Sequence, residues 1–282
     1  MCFSAAVRLE LHCHSTCSDG SLPPAEVARA AATRGVELFC LTDHDTDQGF
    51  AATREAIGDR CRVLRGLELS CREHDRTVHL LLYGLTEGPG LDALHTKLEG
   101  IDADRRVRLR QICERLAKLG IDIDADAVLA RSHGRTAGRP DVARALVEAG
   151  AVQSPREAFD RYLKDGGPAD VPIPRLSVAD GVTLGVAAGA KVSLAHPHTL
   201  GHFAIVRELF VQCRDLGLTG IEAYYGKYAV AQCRPWLQLA EALDLVPTGG
   251  SDFHGDMSPD VKSPAIDLPD DVGRRIRDWL AA

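Results

Sequence analysis

No two cysteines in this chain are spaced Cys-x-x-Cys, although nine cysteines are present. The usual thiolate zinc pattern is therefore missing. A chain of 282 residues is also not the short secreted kind that a disulfide framework holds together. Reduced, mostly buried thiols are the expectation. No apolar stretch approaches the roughly 20 residues a membrane helix needs. The start, Met1-Cys2-Phe3-Ser4-Ala5-Ala6-Val7, lacks a basic segment followed by a long apolar run, so a cytoplasmic protein is expected. Positive charge is also short: the formal net charge is -7. Binding along duplex nucleic acid is driven by neutralising phosphates with cations, so that class is disfavoured. A small anionic substrate stays compatible, because metal ions can supply positive charge locally. There is no internal repeat, no low-complexity tail and no evident obligate protein partner.

What is present is an ordinary soluble composition, 45% hydrophobic and 26% charged, at a length that suits one barrel carrying a smaller inserted module. Val7 to Cys13 reads as a strand, with Val7, Leu9, Leu11 and Cys13 on one face and Arg8, Glu10, His12 and His14 on the other. Pro23-Pro24 opens a helix that Gly35 ends. Strands at Glu37 to Leu41, Arg62 to Leu69 and Thr77 to Tyr83 follow, with a helix near Gln48 to Ile57. This alternation favours a parallel sheet or barrel. From Leu91 to Gly166 the pattern is helical. Leu91, Leu94, Leu98 and Ile101 have helical spacing, as do Ile112, Leu116 and Leu119, and Gly120 ends that helix. Shorter helices are expected at Ala125 to Ala130, Pro140 to Ala149 and Pro155 to Leu163. The alternation resumes with strands at Lys191 to Ala195, Gly220 to Ala223 and Leu245 to Thr248. Helices cover Ser177 to Ala188, Phe203 to Leu216, Ala229 to Leu243 and Asp270 to Leu280. The expected division is a barrel from residues 1–90 and 167–282, with a helical insertion at 91–166 covering the substrate site.

The chemistry lies where strands end. His12 and His14 close the first strand, two residues apart and so on one face. Asp19 follows in Ser18-Asp19-Gly20. His44 closes the second strand, Glu68 the third, and His79 lies in the fourth. His196 ends Val192-Ser193-Leu194-Ala195, and Asp252 and His254 follow the last. The C-terminal strand ends of a β/α barrel converge on one mouth, so nine nitrogen and oxygen donors would meet there. Crowded imidazoles and carboxylates are costly without a compensating cation. Mixed shells of this kind suit manganese, zinc or iron, and nine donors exceed one ion's needs. Two or three divalent ions are expected, with Glu68 a natural bridge. A single histidine is usually just polar, and His74 and His95 are read that way.

His12-Cys13-His14-Ser15, Ser18-Asp19-Gly20, Thr42-Asp43-His44, Glu68, His79, His196-Pro197 and Asp252-Phe253-His254 resemble the motifs of the PHP (polymerase and histidinol phosphatase) domain. The resemblance spans residues 7–85 and 190–254. It implies an α/β fold, a distorted (β/α)7 barrel, with a trinuclear metal centre that hydrolyses phosphoesters. It assigns His12, His14, Glu68 and Asp252 to one ion, Glu68, His79 and His196 to a second, and Asp19, His44 and His254 to a third. Manganese is the expected ion, with zinc or iron as alternatives. Gly138-Arg139-Pro140 and Val142-Ala143-Arg144-Ala145-Leu146 are similar to the insertion of a subgroup containing 3',5'-nucleotide bisphosphate phosphatase and a 5'-to-3' exonuclease of short RNA. That subgroup often has histidine where this chain has Asp141.

Glu68, His196, Asp252 and His198 are the expected catalytic residues, with His198 read as a general acid, a phosphate donor or simply a polar loop residue. Ser132, His133, Arg135 and Lys164, in two basic stretches of the insertion, are expected to hold substrate; an arginine fork can grip a second phosphate. Tyr224 and Tyr225 could stack on a base or pack in the core. The expected reaction removes the 3'-phosphate of a nucleoside 3',5'-bisphosphate, such as adenosine 3',5'-bisphosphate. The alternatives are trimming of short 5'-phosphorylated single-stranded oligonucleotides, histidinol phosphate hydrolysis, and a non-catalytic metal-binding module.

Overall fold

The computed structural model describes residues 6–73, 76–132 and 136–282. The chain falls into two compact units. One joins the residues up to His95 to Leu176–Ala282, and the other is Thr96–Arg175. In the first unit β1 (Ala6–Glu10), β2 (Leu38–Cys40) and β3 (Arg62–Leu64) lie parallel, separated by α1 (Pro24–Thr33) and α2 (Phe50–Ile57). Then β4 (Gly66–Glu73) and β5 (Arg76–Tyr83) form an antiparallel pair. Across the interruption follow α7 (Val178–Ala187), β6 (Lys191–Leu194), α8 (Phe203–Cys213), β7 (Leu218–Tyr225), α9 (Val230–Ala242), β8 (Val246–Gly250), β9 (Ile266–Pro269) and α10 (Asp270–Ala281). The intervening helices are α3 (Pro89–Lys118), α4 (Ala125–Arg131), α5 (Arg139–Glu148) and α6 (Pro155–Ala158).

The strands form two sheets, in the orders β3-β2-β1-β9 and β4-β5-β6-β7-β8. The fold is thus mixed α/β with the expected alternation, but among the described residues no continuous ladder closes a (β/α)7 barrel. Among the described residues, the isolated parallel bridges His44 to Glu68 and Cys13 to Phe253 link the two sheets. Nor is the sheet purely parallel, because β4-β5, β5-β6 and β1-β9 are antiparallel. The expected strand from Arg62 to Leu69 breaks at Arg65, and its halves join different sheets. A side chain at Gly66 would run into the Cys40 sulfur and the Leu82 carbonyl, so glycine lets the backbones approach at this turn-off. The first strand is also shorter than expected. Its ladder ends at Glu10, which leaves His12 and His14 just beyond it. The Ile266–Pro269 strand carries no alternation signal long enough to read, and its proline is tolerable because it lies at a sheet edge.

Val7, Leu9 and Leu11 pack with Leu81, Tyr83, Leu268 and Ile276, so the apolar face of β1 is buried as its alternation requires. Val27, Ala28 and Ala31 of α1 pack with Phe39, Leu41 and Phe253. The second unit has its own core, built on Leu109, Ile112, Leu116, Val142 and Leu146. Leu119 is not part of it and is 48% exposed. The helix ends one residue earlier, where the Ile121 N–H bonds the Leu116 carbonyl across the left-handed Gly120. The expected helix to Leu163 is α-helical only to Ala158, and a π-helical turn, Phe159–Leu163, completes it. Among the described residues no helix is long and apolar enough to cross a membrane.

Candidate metal centre

Glu68 is the hub of the site. It lies inside β4 rather than at a strand end, and it is 1% exposed. Its Oε2 is 3.4 Å from His12 Nε2, 3.2 Å from His14 Nε2 and 3.1 Å from His44 Nδ1. Its Oε1 is 2.9 Å from both His79 Nδ1 and His196 Nε2. His79 reaches this oxygen from the interior of β5, which the antiparallel hairpin brings alongside β4.

Asp252 Oδ1 lies 3.4 Å from His12 Nε2 and 3.5 Å from His14 Nε2. Asp19 Oδ1 lies 3.4 Å from His254 Nε2, and Asp19 Oδ2 lies 3.7 Å from His44 Nε2. All nine expected donors therefore fall into four overlapping groups: His14, Asp19, His44 and His254; His12, Glu68 and His196; His12, His14 and Asp252; His44, Glu68 and His79.

Two observations test whether divalent ions fit. First, His12 Nε2, His14 Nδ1, His14 Nε2, His44 Nδ1 and Glu68 Oε2 are buried without any hydrogen bond. Buried polar atoms are nearly always satisfied, so this concentration of orphans at one point calls for another partner. Second, His12 Nε2 and His14 Nε2 lie 3.4 and 3.2 Å from Glu68 Oε2, and 3.4 and 3.5 Å from Asp252 Oδ1. A metal bonded at about 2.0–2.1 Å holds tetrahedral ligand atoms about 3.3–3.4 Å apart. The donors fit divalent metal ions.

Without a cation the donors compensate one another's charge. Burial alone would push Glu68, Asp19 and Asp252 toward neutrality, yet the surrounding imidazoles hold all three well below the usual carboxylate range. Burial opposes charge on His14, but Asp252, Glu68 and Asp19 outweigh it and raise its pKa to about 10. His44 goes the other way: burial, reinforced by His14 and His79, overrides the nearby carboxylates and lowers it to about 3.

A surrounding layer fixes the donors, and most of it is not evident from the sequence. Glu222, fully buried in β7, bonds His12 Nδ1 at 2.8 Å through one oxygen and accepts the His196 N–H at 2.6 Å through the other. It therefore sets which ring nitrogen of His12 faces the centre. The one sequence signal was a carboxylate inside an otherwise apolar strand. Glu10 Oε1 accepts the backbone N–H groups of His12 and Ser251, both at 3.0 Å, and burial raises this carboxyl to about 7. Asp43 is no donor to the cluster. It accepts the Ser15 N–H at 2.7 Å and the Ser15 and Ser18 hydroxyls at 2.6 Å each, tying down the loop that carries Asp19. A side chain at Gly250 would collide with the backbone and Cβ of His12, so glycine at the end of β8 lets that histidine sit where it does.

The remaining expected residues are placed as follows. His198 is exposed two residues after His196, with ring centroids 5.0 Å from Tyr225 and 4.8 Å from Tyr228. Burial and His196 hold its pKa below the ordinary imidazole value. Tyr225 is 8% exposed, and its hydroxyl donates to Asp252 Oδ2 at 2.5 Å rather than standing free to stack on a base. Tyr224 packs in part against the β1 core. In the second unit, Ser132 is fully buried and its hydroxyl donates to the Leu129 carbonyl, so it offers substrate no exposed hydroxyl. Lys164 is exposed, just after the π-helical turn. His133 and Arg135 lie outside the described residues, as does His74. Asp141 Oδ2 accepts the Gly138 N–H at 2.9 Å, and its Oδ1 lies 3.2 Å from Arg144; these are helix-start contacts within α5. His95 pairs with Asp47 at 3.1 Å, as a simple polar residue would.

Among known proteins, the chain is 35% identical over 254 residues to the phosphoribosyl 1,2-cyclic phosphate 1,2-diphosphodiesterase of Eggerthella lenta, covering 87% of this chain and 94% of that one. It is 34% identical over 250 residues to the 3',5'-nucleoside bisphosphate phosphatase of Chromobacterium violaceum, covering 87% of each. It is 31% identical over 255 residues to the 5'-3' exoribonuclease of Haemophilus influenzae, covering 88% of this chain and 90% of that one. The solved structure of an amidohydrolase from Chromobacterium violaceum, with bound sulfate and no metal, superposes with a TM-score of 0.83 at 31% identity, over 95% of this chain and 96% of that one. A family model described as the PHP domain matches residues 10–164. This chain belongs to the PHP domain family.

Proposed function

We propose that this chain is a metal-dependent phosphoesterase that removes the 3'-phosphate from nucleoside 3',5'-bisphosphates. The observation that carries the phosphoesterase reading is the cluster of six imidazoles and three carboxylates around Glu68, with five buried donor atoms left without hydrogen bonds. Divalent ions held there would supply a water of lowered pKa and positive charge against the phosphoryl oxygens. Glu68 presents Oε2 to His12, His14 and His44 and Oε1 to His79 and His196, which suits it to be shared between ions. Glu222 keeps His12 turned toward the centre, and His196 and Asp252 complete the shell from the opposite strands. His198, exposed beside His196, is proposed to meet the leaving oxygen or a phosphate oxygen. Lys164, with Arg135, is the cation pair proposed to grip the phosphate that is not cleaved. Manganese is the ion proposed for this work.

The bisphosphate substrate is supported by the 34% identity to a relative of that name. A second reading has comparable support: the 35% relative is named for a cyclic phosphodiester substrate, and a 31% relative for exoribonuclease activity. A substrate panel with manganese decides between them. It compares a nucleoside 3',5'-bisphosphate, the 3'- and 5'-monophosphates, phosphoribosyl 1,2-cyclic phosphate, short 5'-phosphorylated RNA and histidinol phosphate. The proposal requires the bisphosphate to have the highest kcat/KM, with free phosphate and the 5'-monophosphate as products. A higher value on the cyclic ester or the RNA sinks it.

A further inference from the structure

Asp252 offers its two oxygens to different surroundings. Its backbone sits in the left-handed region, at φ 53°, and its Oδ1 lies 3.4, 3.5 and 3.6 Å from His12, His14 and His254. Oδ2 points outward and is taken up by two donors, the Tyr225 hydroxyl at 2.5 Å and Lys227 Nζ at 3.1 Å. Tyr225 ends β7 and is buried, so its hydroxyl is fixed by packing. The Lys227 ammonium lies 5.4 Å over the Tyr225 ring, which holds the second donor near the first, while the lysine side chain stays 32% exposed. An oxygen accepting one phenolic and one ammonium hydrogen has both lone-pair directions in use.

We propose that Tyr225 and Lys227 are positioning residues that clamp the outer oxygen of Asp252 and so restrict it to a one-oxygen ligand of the metal centre. The proposal rests on the metal-centre reading above. Its consequence is selectivity. Calcium takes six to eight oxygens and readily accepts both oxygens of one carboxylate, whereas the smaller first-row ions work with fewer donors and mixed nitrogen ligation. A carboxylate that can give only one oxygen disfavours the larger ion. Neither residue has to touch substrate for this effect.

The test is calorimetric titration of chelator-treated protein with Mn2+ and, separately, with Ca2+. The wild type is expected to bind Mn2+ more tightly. In the Tyr225→Phe, Lys227→Met double variant the Mn2+ to Ca2+ affinity ratio is expected to fall by at least about tenfold, because the freed carboxylate can then turn both oxygens to the ion. A smaller change overturns the clamp. If the double variant does not fold, the single Lys227→Met variant, altered at a partly exposed side chain, must lower the ratio by at least about threefold, and a smaller change overturns the clamp in the same way. In a crystal structure of the manganese-loaded wild type, Asp252 is expected to bind through Oδ1 alone, with Oδ2 still on Tyr225 and Lys227. Both oxygens on the ion overturn the proposal. A wild type that binds neither cation overturns the metal centre and the clamp together, whereas normal binding with an unchanged ratio overturns the clamp only.

Discussion

His12 Nδ1 and Glu222 Oε1 lie 2.8 Å apart in a fully buried pair, 210 residues apart in sequence. The pair leaves His12 Nε2 as the ring atom that faces Glu68 and Asp252. Partners of this kind typically change metal affinity about 10–100-fold when removed. Glu222→Gln keeps the size of the side chain but lets an amide compete for the ring nitrogen. Competition against a chelator should show metal binding about 10–100-fold weaker, with the metal-free variant melting close to the metal-free wild type. Unchanged metal affinity would remove Glu222 from the centre.

Glu68→Ala should abolish turnover and lower the metal content per chain. Both oxygens of Glu68 face imidazole nitrogens of the donor set, so its loss takes a ligand from several groups at once. Elemental analysis beside a phosphate-release assay reads both effects. A variant with full metal content and full rate contradicts the shared-ligand role.

Asp43→Ala should destabilise the fold before it affects chemistry directly. Three donors, the Ser15 N–H and the Ser15 and Ser18 hydroxyls, would lose a buried acceptor. Each unsatisfied group costs about 1–3 kcal/mol, so a loss of about 2–5 kcal/mol is expected after relaxation. Urea unfolding of the metal-free protein measures it. Ser18→Ala, which removes one donor and leaves Asp43 its other two, should cost much less.

Lys164→Ala tests the substrate. A charge-assisted phosphate contact is worth about 1.5–3 kcal/mol, so kcat/KM on a 3',5'-bisphosphate should fall roughly ten- to a hundredfold at saturating manganese. The matching monophosphate, with no second phosphate to hold, should change little. Equal losses on both would put Lys164 at the reacting phosphate, and no loss on either would make it a solvated surface residue.

The donor residues were legible before any coordinates because their signals are local. His12 and His14 share a face by their spacing, and His196, Asp252 and His254 each follow an apolar strand pattern directly. The alternation of strands and helices was legible for the same reason. Strand direction was not: apolar periodicity in β4 and β5 is the same for parallel and antiparallel neighbours, and the overall alternation, which favours a parallel sheet, does not reveal that Glu68 and His79 sit in an antiparallel hairpin. Arg62 to Leu69 looks continuous because the break at Arg65 depends on the close approach of Gly66 to Cys40 and Leu82, which are near only in space.

By itself the sequence determined the residue types of the centre, six imidazoles and three carboxylates beside apolar strands, and with them a preference for divalent ions. Residue type and strand register are properties of neighbouring positions, so they can be read along the chain. Only the tertiary structure decided what each carboxylate does. Glu68 turns both oxygens to imidazoles, whereas Asp252 turns one to imidazoles and the other to Tyr225. Glu222 faces an imidazole nitrogen, Asp43 faces serines, and Glu10 faces backbone N–H groups. These side chains have the same functional group and nearly the same intrinsic acidity. What separates their roles is which donors the folded strands and loops bring to within about 3 Å, and contacts between positions up to 241 residues apart leave no trace in local pattern.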